Sequence, residues 1–186
     1  MWREIILFLT LVWPAIVVAD DTILQFYRPF TATTKHPLAV VAGTQSGECL
    51  QQSQRLTRED AWRCVAKSIV YDPCFVKPFD SHKEVICPES PWSAKSVQIN
   101  VASPLDNSHH NILDMSRTYP WAIELTNGEK CQAVESGESY DGLPLRYRCS
   151  GQTALIGHVQ RCAATWKMLQ HNTVGISTVE IGKAWF

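Results

Sequence analysis

Apolar and polar positions alternate along several stretches of the second half of the chain. In one of them Val97, Ile99 and Val101 are separated by Gln98 and Asn100. A period of two is typical of a strand that is buried on one face only. The same alternation recurs in Trp121, Ile123 and Leu125, in Leu143, Leu145, Tyr147 and Cys149, and in Val179, Ile181 and Trp185. The pattern therefore predicts an antiparallel sheet.

The turn signals support this sheet. Asn127-Gly128 lies between two apolar runs, and both residues tolerate the positive φ of a tight hairpin. In the strand that contains Tyr147, Arg146 and Arg148 take the polar positions. We therefore expect a hairpin at residues 127–128 and a further strand with two arginines on its polar face.

One stretch, residues 57–75, has a different pattern. Thr57 with Asp60 three residues later favours the start of a helix. Ala61, Cys64, Val65 and Ser68 are spaced three and four residues apart, as on one face of a helix of about ten residues. Asp72-Pro73 then indicates a turn that presents Cys74 and Phe75.

Together these patterns predict an α+β fold, mainly antiparallel β with one short helix, and braced by disulfides. Residues 1–19 are interpreted as a signal peptide and residues 20–46 as an extended N-terminal segment. Residues 47–186 are expected to form a single disulfide-braced domain.

Export is predicted from the first nineteen residues. Arg3 precedes an apolar run from Ile5 to Val12, and Pro14 and the small residue Ala19 follow. This is the layout of a signal peptide, and the alternative is an uncleaved N-terminal anchor. No later segment is apolar enough to span a membrane. The expected location of the mature protein is therefore secreted or periplasmic.

The cysteines agree with export, because none of them has the C-x-x-C spacing of a zinc site. Pairing in sequence order would close three local loops, although the sequence alone cannot establish the connectivity. The bonds would be Cys49 with Cys64, Cys74 with Cys87, and Cys131 with Cys149. Cys162 is then left over, and it could be buried and inert, bonded to another chain, or reactive. A buried or merely unpaired thiol is the favoured alternative.

Charge excludes one class of function. The chain has 186 residues and a formal net charge of -1, with 17 basic residues scattered among 18 acidic ones. A nucleic-acid-binding protein usually concentrates its basic residues on one face. We therefore expect no nucleic-acid partner.

Three sets of residues could carry chemistry, but each has a simpler explanation. His158 and Cys162 stand four apart, the spacing of an imidazole and a thiolate on a helix. His109 and His110 lie near Asp106 and Asp114 in a polar loop that could bind a metal. The carboxylates that could act in a hydrolase are Asp60, Asp72, Glu124 and Asp141. Caps, turns and solvated loops explain these residues, so we predict no catalytic residue, no metal site and no cofactor.

Aromatic residues are the remaining candidates for function. Most of the tryptophans alternate with aliphatic residues and are expected in the core. Aromatic and arginine side chains are also the usual anchors of protein interfaces. The four predicted partner-binding residues are Trp62, Arg63, Tyr71 and Trp92.

Several motifs resemble those of an uncharacterised family of secreted or periplasmic bacterial proteins. They include R-x-D-A-W-R-C at residues 58–64, D-P-C-F at 72–75 and P-W-A-I-E-L-T-N-G-E-K-C at 120–131. The resemblance covers most of the chain after Gly47 and implies export, but no activity. We expect a non-enzymatic domain that binds a protein or a component of the cell envelope. The alternatives are a secreted hydrolase acting on envelope polymer or host material, and an inhibitor of such a hydrolase.

Overall fold

Thirteen strands and no helix form in residues 21–30, 39–77 and 82–186, which are the residues that the computed structural model describes. The first six strands are β1 (Ile23–Gln25), β2 (Val40–Gln52), β3 (Ala61–Ala66), β4 (Ile69–Val76), β5 (Glu84–Pro88) and β6 (Lys95–Val101). The other seven are β7 (Ala122–Leu125), β8 (Lys130–Ala133), β9 (Ser139–Tyr140), β10 (Leu143–Cys149), β11 (Ala154–Gln160), β12 (Trp166–Asn172) and β13 (Gly175–Trp185). The predicted signal peptide lies outside the described residues.

The strands form two closed barrels. β2 to β6 make the first barrel, which is antiparallel except where β2 and β6 pair in parallel and close it. The second barrel contains β7, β8, β10, β11, β12 and β13, and the pairing of β7 with β13 closes it. Beyond the barrel wall, β1 pairs in parallel with the end of β13, and β9 pairs with β10. The α+β prediction is therefore wrong, and the described part of the chain is all-β.

The predicted helix is a strand. In β3, Trp62, Cys64 and Ala66 are buried, whereas Val65 is exposed and Arg63 is half-buried. This near-alternation has the period of a strand, and the helical spacing of Ala61, Cys64, Val65 and Ser68 is a coincidence. Pairing with β2 on one side and β4 on the other outweighs the local capping pattern.

The disulfides cross-link neighbouring strands, and their presence confirms the disulfide-bonded character expected from the sequence. The bonds join Cys49 to Cys64, Cys74 to Cys87, and Cys131 to Cys149. Because Cys49 faces Cys64 across β2 and β3, that bond reinforces the first barrel. Cys131 faces Cys149 across β8 and β10, and that bond reinforces the second.

The start of β2 and the burial pattern of β13 differ from the simple sequence pattern. The domain start expected near Gly47 falls inside β2, which begins at Val40. In β13 the pairing with β7 shifts register between Ile181 and Lys183. Ile181 is buried before this shift, and Ala184 and Phe186 are buried after it. Trp185, which the alternation placed on the same face as Ile181, is therefore only half-buried.

The largest hydrophobic cluster joins the two barrels, whereas Trp62, Ile99 and Val101 belong to a separate cluster inside the first barrel. Leu56 and Phe75 from the first half of the chain are fully buried in the same cluster as Leu155, Ile181 and Phe186 from the second half. A continuous apolar cluster removes water from the junction between the barrels and holds them together. Among the described residues, no helix is long and apolar enough to cross a membrane.

Candidate functional site

Two of the four predicted partner-binding residues pack internally. Trp62 is only 5% exposed, and its ring centroid lies 4.2 Å from that of His110. Trp92 is half-buried, and its ring meets Trp185 edge to face at a centroid distance of 5.4 Å. These tryptophans hold loops against the barrels, so their surroundings give them a packing role.

Arg63 belongs to an ion cluster between the barrels. Its Nη1 atom lies 3.2 Å from Oδ2 of Asp72 on β4, and 2.5 Å from Oε2 of Glu135, which follows β8. Nε of Arg55 lies 3.7 Å from Oε1 of the same Glu135. Four segments are thus tied together by two arginines and two carboxylates.

Asp72 is the most deeply buried member of this cluster. Its carboxylate accepts hydrogen bonds from Ser53 Oγ and from the backbone N–H of Gln54, the latter at 3.0 Å. The side chain is 2% exposed, and burial raises the pKa of Asp72 although these hydrogen bonds oppose the shift. Asp72 therefore has a structural role, because its hydrogen bonds hold residues 53–54, which precede Leu56, against β4.

Tyr71 and Asp72 line a partly open groove at the side of the first barrel. The groove has a volume of about 470 Å³, and Gln132 of the second barrel contributes to its wall. Lys95 and Arg55 bring positive charge to the lining, and Glu89 and Asp72 bring negative charge. The hydroxyl oxygen of Tyr71 accepts a hydrogen bond from Nε2 of Gln45 at 3.1 Å, which orients the ring. A ligand in this groove would meet one aromatic ring and both signs of charge.

The groove exists because β4 and β5 separate. Their antiparallel ladder contains only the pairs Phe75 with Ile86 and Val76 with Val85. Residues 69–71 of β4 pair with β3, and among the described residues no strand pairs with the other edge of residues 69–72. Val70, which lines the groove, is 50% exposed, and Ile69 beside it is 54% exposed. An unpaired strand edge with apolar side chains is a surface on which another chain can pair.

A second, smaller cavity lies on the other side of Arg55. Its volume is about 210 Å³, and three arginines line it: Arg55, Arg117 and Arg146. Glu135 and Tyr119 also line this cavity. We call this cavity the arginine pocket. Its surplus of guanidinium groups makes it a candidate site for an anion.

The candidate pair of His158 and Cys162 does not form in the structure. His158 lies on β11, and Cys162 follows the end of that strand, so the four-residue spacing is not helical. Nδ1 of His158 is instead 2.6 Å from the hydroxyl of Tyr119. Cys162 is exposed and forms no disulfide with any described residue, so of the favoured alternatives, a buried or a merely unpaired thiol, the structure shows the unpaired one.

The polar loop does not assemble a metal site. Nδ1 of His110 is 3.0 Å from the backbone oxygen of Glu59, and His109 is exposed. Hydrogen bonds from Ser108 lower the pKa of Asp106, which is fully exposed. Within the described ranges no group of three or more metal-ligating side chains converges.

The four candidate hydrolase carboxylates lie in different environments. Asp60 binds the guanidinium of Arg58 at 2.5 Å, and Asp72 belongs to the ion cluster. Glu124 lies 3.8 Å from Nζ of Lys183, and Asp141 occupies a turn with a φ of 49°. No pair of them is brought together by these contacts.

Sequence reasoning missed most of the residues that line the two cavities. Arg146 was visible on the polar face of its strand, but nothing in the sequence indicated that Tyr119 and Arg55 would meet it. They come from a loop and a turn that are distant along the chain. Only the closure of both barrels brings these three side chains to one wall.

No protein-family model, curated protein or solved structure matches this chain.

Proposed function

We propose that this protein is an exported, non-enzymatic binding domain, and that the groove beside Tyr71 receives an extended segment of a partner protein. Export is supported by the three disulfides, since such bonds persist mainly in oxidising compartments. The observation that carries the binding role is the unpaired edge of β4 in the wall of the groove.

A protein partner fits this surface better than a rigid small ligand. An extended peptide could pair its backbone with residues 69–72 of β4 while its side chains contact Val70 and Tyr71. The volume of about 470 Å³ lies within the range of binding clefts in proteins. Interfaces commonly surround apolar and aromatic anchors with polar groups, as Lys95 and Glu89 do here.

Site-specific photo-crosslinking tests the proposal. A photoreactive amino acid at Val70 is expected to capture the partner from an envelope extract of the native host. The same amino acid at Val174, which is 94% exposed on the second barrel, is the matched control and should not capture it. The crosslinked peptide, identified by mass spectrometry, should be an extended segment of one protein.

A direct binding measurement then separates specific binding from chance capture. Val70→Asp should weaken the affinity for the purified partner by about tenfold or more, because a charge would replace the apolar contact that Val70 makes in the complex. Val174→Asp should leave the affinity unchanged. The proposal fails if both positions capture the same proteins, or if Val70→Asp binds as tightly as the unaltered chain.

A further inference from the structure

The side chain of Arg146 on β10 makes no hydrogen bond and no ion pair with any residue in the described ranges. Its Nε atom is buried without a hydrogen-bond partner, although the side chain as a whole is half-buried and lines the arginine pocket. A guanidinium group carries five N–H donors, and most arginines held in a protein wall use several of them. The side-chain donors of Arg146 are therefore not used by any described residue.

The guanidinium group of Arg146 makes a cation–π contact with the ring of Tyr119. Its Cζ atom lies 4.9 Å from the ring centroid of Tyr119, and the Tyr119 hydroxyl is 2.6 Å from Nδ1 of His158. Arg161 lies 5.8 Å from the same centroid, and its Nη2 donates to the backbone oxygen of Thr118 at 2.7 Å. Such a fixed fork loses less conformational entropy on binding than a free arginine would lose.

The charges around the pocket leave a positive excess. Arg117 lies 3.7 Å from the carboxylate of Asp114, and both side chains are largely exposed. Glu135 is the acid in the lining, but it already binds Arg63 at 2.5 Å and Arg55 at 3.7 Å. Neither acid reaches Arg146. A ligand with a single negative charge would pair with Arg146, and Glu135 would repel it less than it would repel a doubly charged ligand.

We propose that the arginine pocket binds a carboxylate group, with Arg146 as the main contact and Arg55 and Arg117 in support. A planar guanidinium matches a carboxylate through two parallel hydrogen bonds. The volume of about 210 Å³ accommodates an acidic side chain or the acid end of a sugar. This inference does not require a partner in the groove beside Tyr71, although Arg55 lines both cavities.

Nuclear magnetic resonance of the full chain tests the proposal with four probes. The carboxylates are N-acetyl-glutamate amide and glucuronate, which separate a peptide source from a sugar source. N-acetyl-glutamine amide is the uncharged match of the first, and inorganic phosphate is the competing anion. Titration with a carboxylate should shift the Arg146 Nε–H signal and the backbone amides of Ala133 and Val134, and the shifts should saturate. Whichever carboxylate binds more tightly indicates the source.

Substitutions then identify the contact. Arg146→Gln should weaken carboxylate binding by about tenfold or more, and Arg146→Lys should weaken it less. Arg148→Gln is the matched control, because Arg148 lies on the same strand but pairs with Glu138 at 2.6 Å outside the pocket. It should bind as the unaltered chain does.

Three results would overturn the proposal. They are equal shifts with the uncharged glutamine analogue, unchanged affinity in a folded Arg146→Gln variant, and tighter binding of phosphate than of either carboxylate. The Arg146 Nε–H signal of the unaltered chain decides the question even if Arg146→Gln does not fold. An unmoved signal at saturating carboxylate contradicts the inference.

Discussion

Arg58 donates a hydrogen bond from Nη1 to the backbone oxygen of Phe186, 3.1 Å away and 128 residues later in the chain. The same nitrogen donates to the backbone oxygen of Tyr27 at 2.7 Å, and Nη2 donates to Asp60 Oδ2 at 2.9 Å. The side chain is fully buried, and its guanidinium lies 4.4 Å from the ring centroid of Phe75. Arg58 thus joins the first barrel to both ends of the described chain.

Replacement of Arg58 by Leu should strongly destabilise the protein. The substitution leaves the backbone oxygen of Tyr27 without its Arg58 donor and removes one of the two hydrogen bonds to the backbone oxygen of Phe186. It also removes the ion-pair partner of Asp60. A buried hydrogen-bonding group left without its partner typically costs about 1–3 kcal/mol. The loss at Asp60 adds less, because its side chain is 37% exposed. Urea unfolding, followed by tryptophan fluorescence, measures the free energy of unfolding.

Arg117→Leu is the control for this substitution, because the Arg117 side chain is 89% exposed. It should change the free energy of unfolding by less than about 1 kcal/mol. Equal stability of the two variants would show that Arg58 does not hold the barrels together.

The sequence pattern predicted the strands that have one face in the core, and it failed where pairing is non-local. Trp121, Ile123 and Leu125 alternate with their neighbours, and all three are buried. The hairpin at Asn127-Gly128 is confirmed by the pairing of β7 with β8, although a positive φ occurs only at Gly128. Such features depend on a few neighbouring residues and are therefore readable from the chain.

Three features could not be read in this way. β11 was missed because Leu155 and Ile156 are both buried, so the stretch does not alternate. The sequence pattern predicts a helix at β3 because Thr57 and Asp60 resemble a helix start and the alternation in β3 is weak. The arginine pocket depends on the closure of both barrels, and no local pattern encodes that closure.

Asp72 should give the protein a measurable dependence of stability on pH. Burial raises its pKa in the folded state, so the folded chain holds the proton more tightly than the unfolded chain does. The stability that this carboxyl group contributes is therefore greatest below its ordinary pKa of 3.8, and it is lost as pH rises through the raised pKa. Asp72→Asn removes this titration.

Unfolding of both proteins in urea from pH 3 to pH 7 checks this prediction. The free energy of unfolding of the unaltered chain, minus that of Asp72→Asn, should fall as pH rises. If the difference rises instead, the ion pair with Arg63 and the hydrogen bonds from Ser53 and Gln54 outweigh burial at this site.

Cys162 should react with a thiol reagent in the folded protein. It is exposed and lies outside the three disulfides, whereas the six bonded cysteines carry no thiol. Treatment of the native chain with a maleimide, without reductant, should add one label, and Cys162→Ser should add none. Two or more labels on the unaltered chain would mean that a disulfide is not formed.

Gly47 on β2 should not tolerate a larger residue. A Cβ atom there would lie 2.5 Å from the backbone oxygen of Val65, 2.9 Å from Cβ of Ala66 and 2.9 Å from Cγ2 of Ile99. These atoms belong to β3 and β6, the strands that pair with β2 on its two sides, so the first barrel would have to expand. Overpacking of this kind costs about 1–3 kcal/mol.

Gly43 provides a matched control on the same strand, because a Cβ atom built there meets nothing within 4 Å. Gly47→Ala should lower the urea midpoint clearly, whereas Gly43→Ala should leave it unchanged or raise it slightly. The small gain is expected because alanine restricts the unfolded chain more than glycine does. Equal effects of the two substitutions would contradict the close approach of β2 to β3 and β6, and with it the tight closure of the first barrel around Gly47.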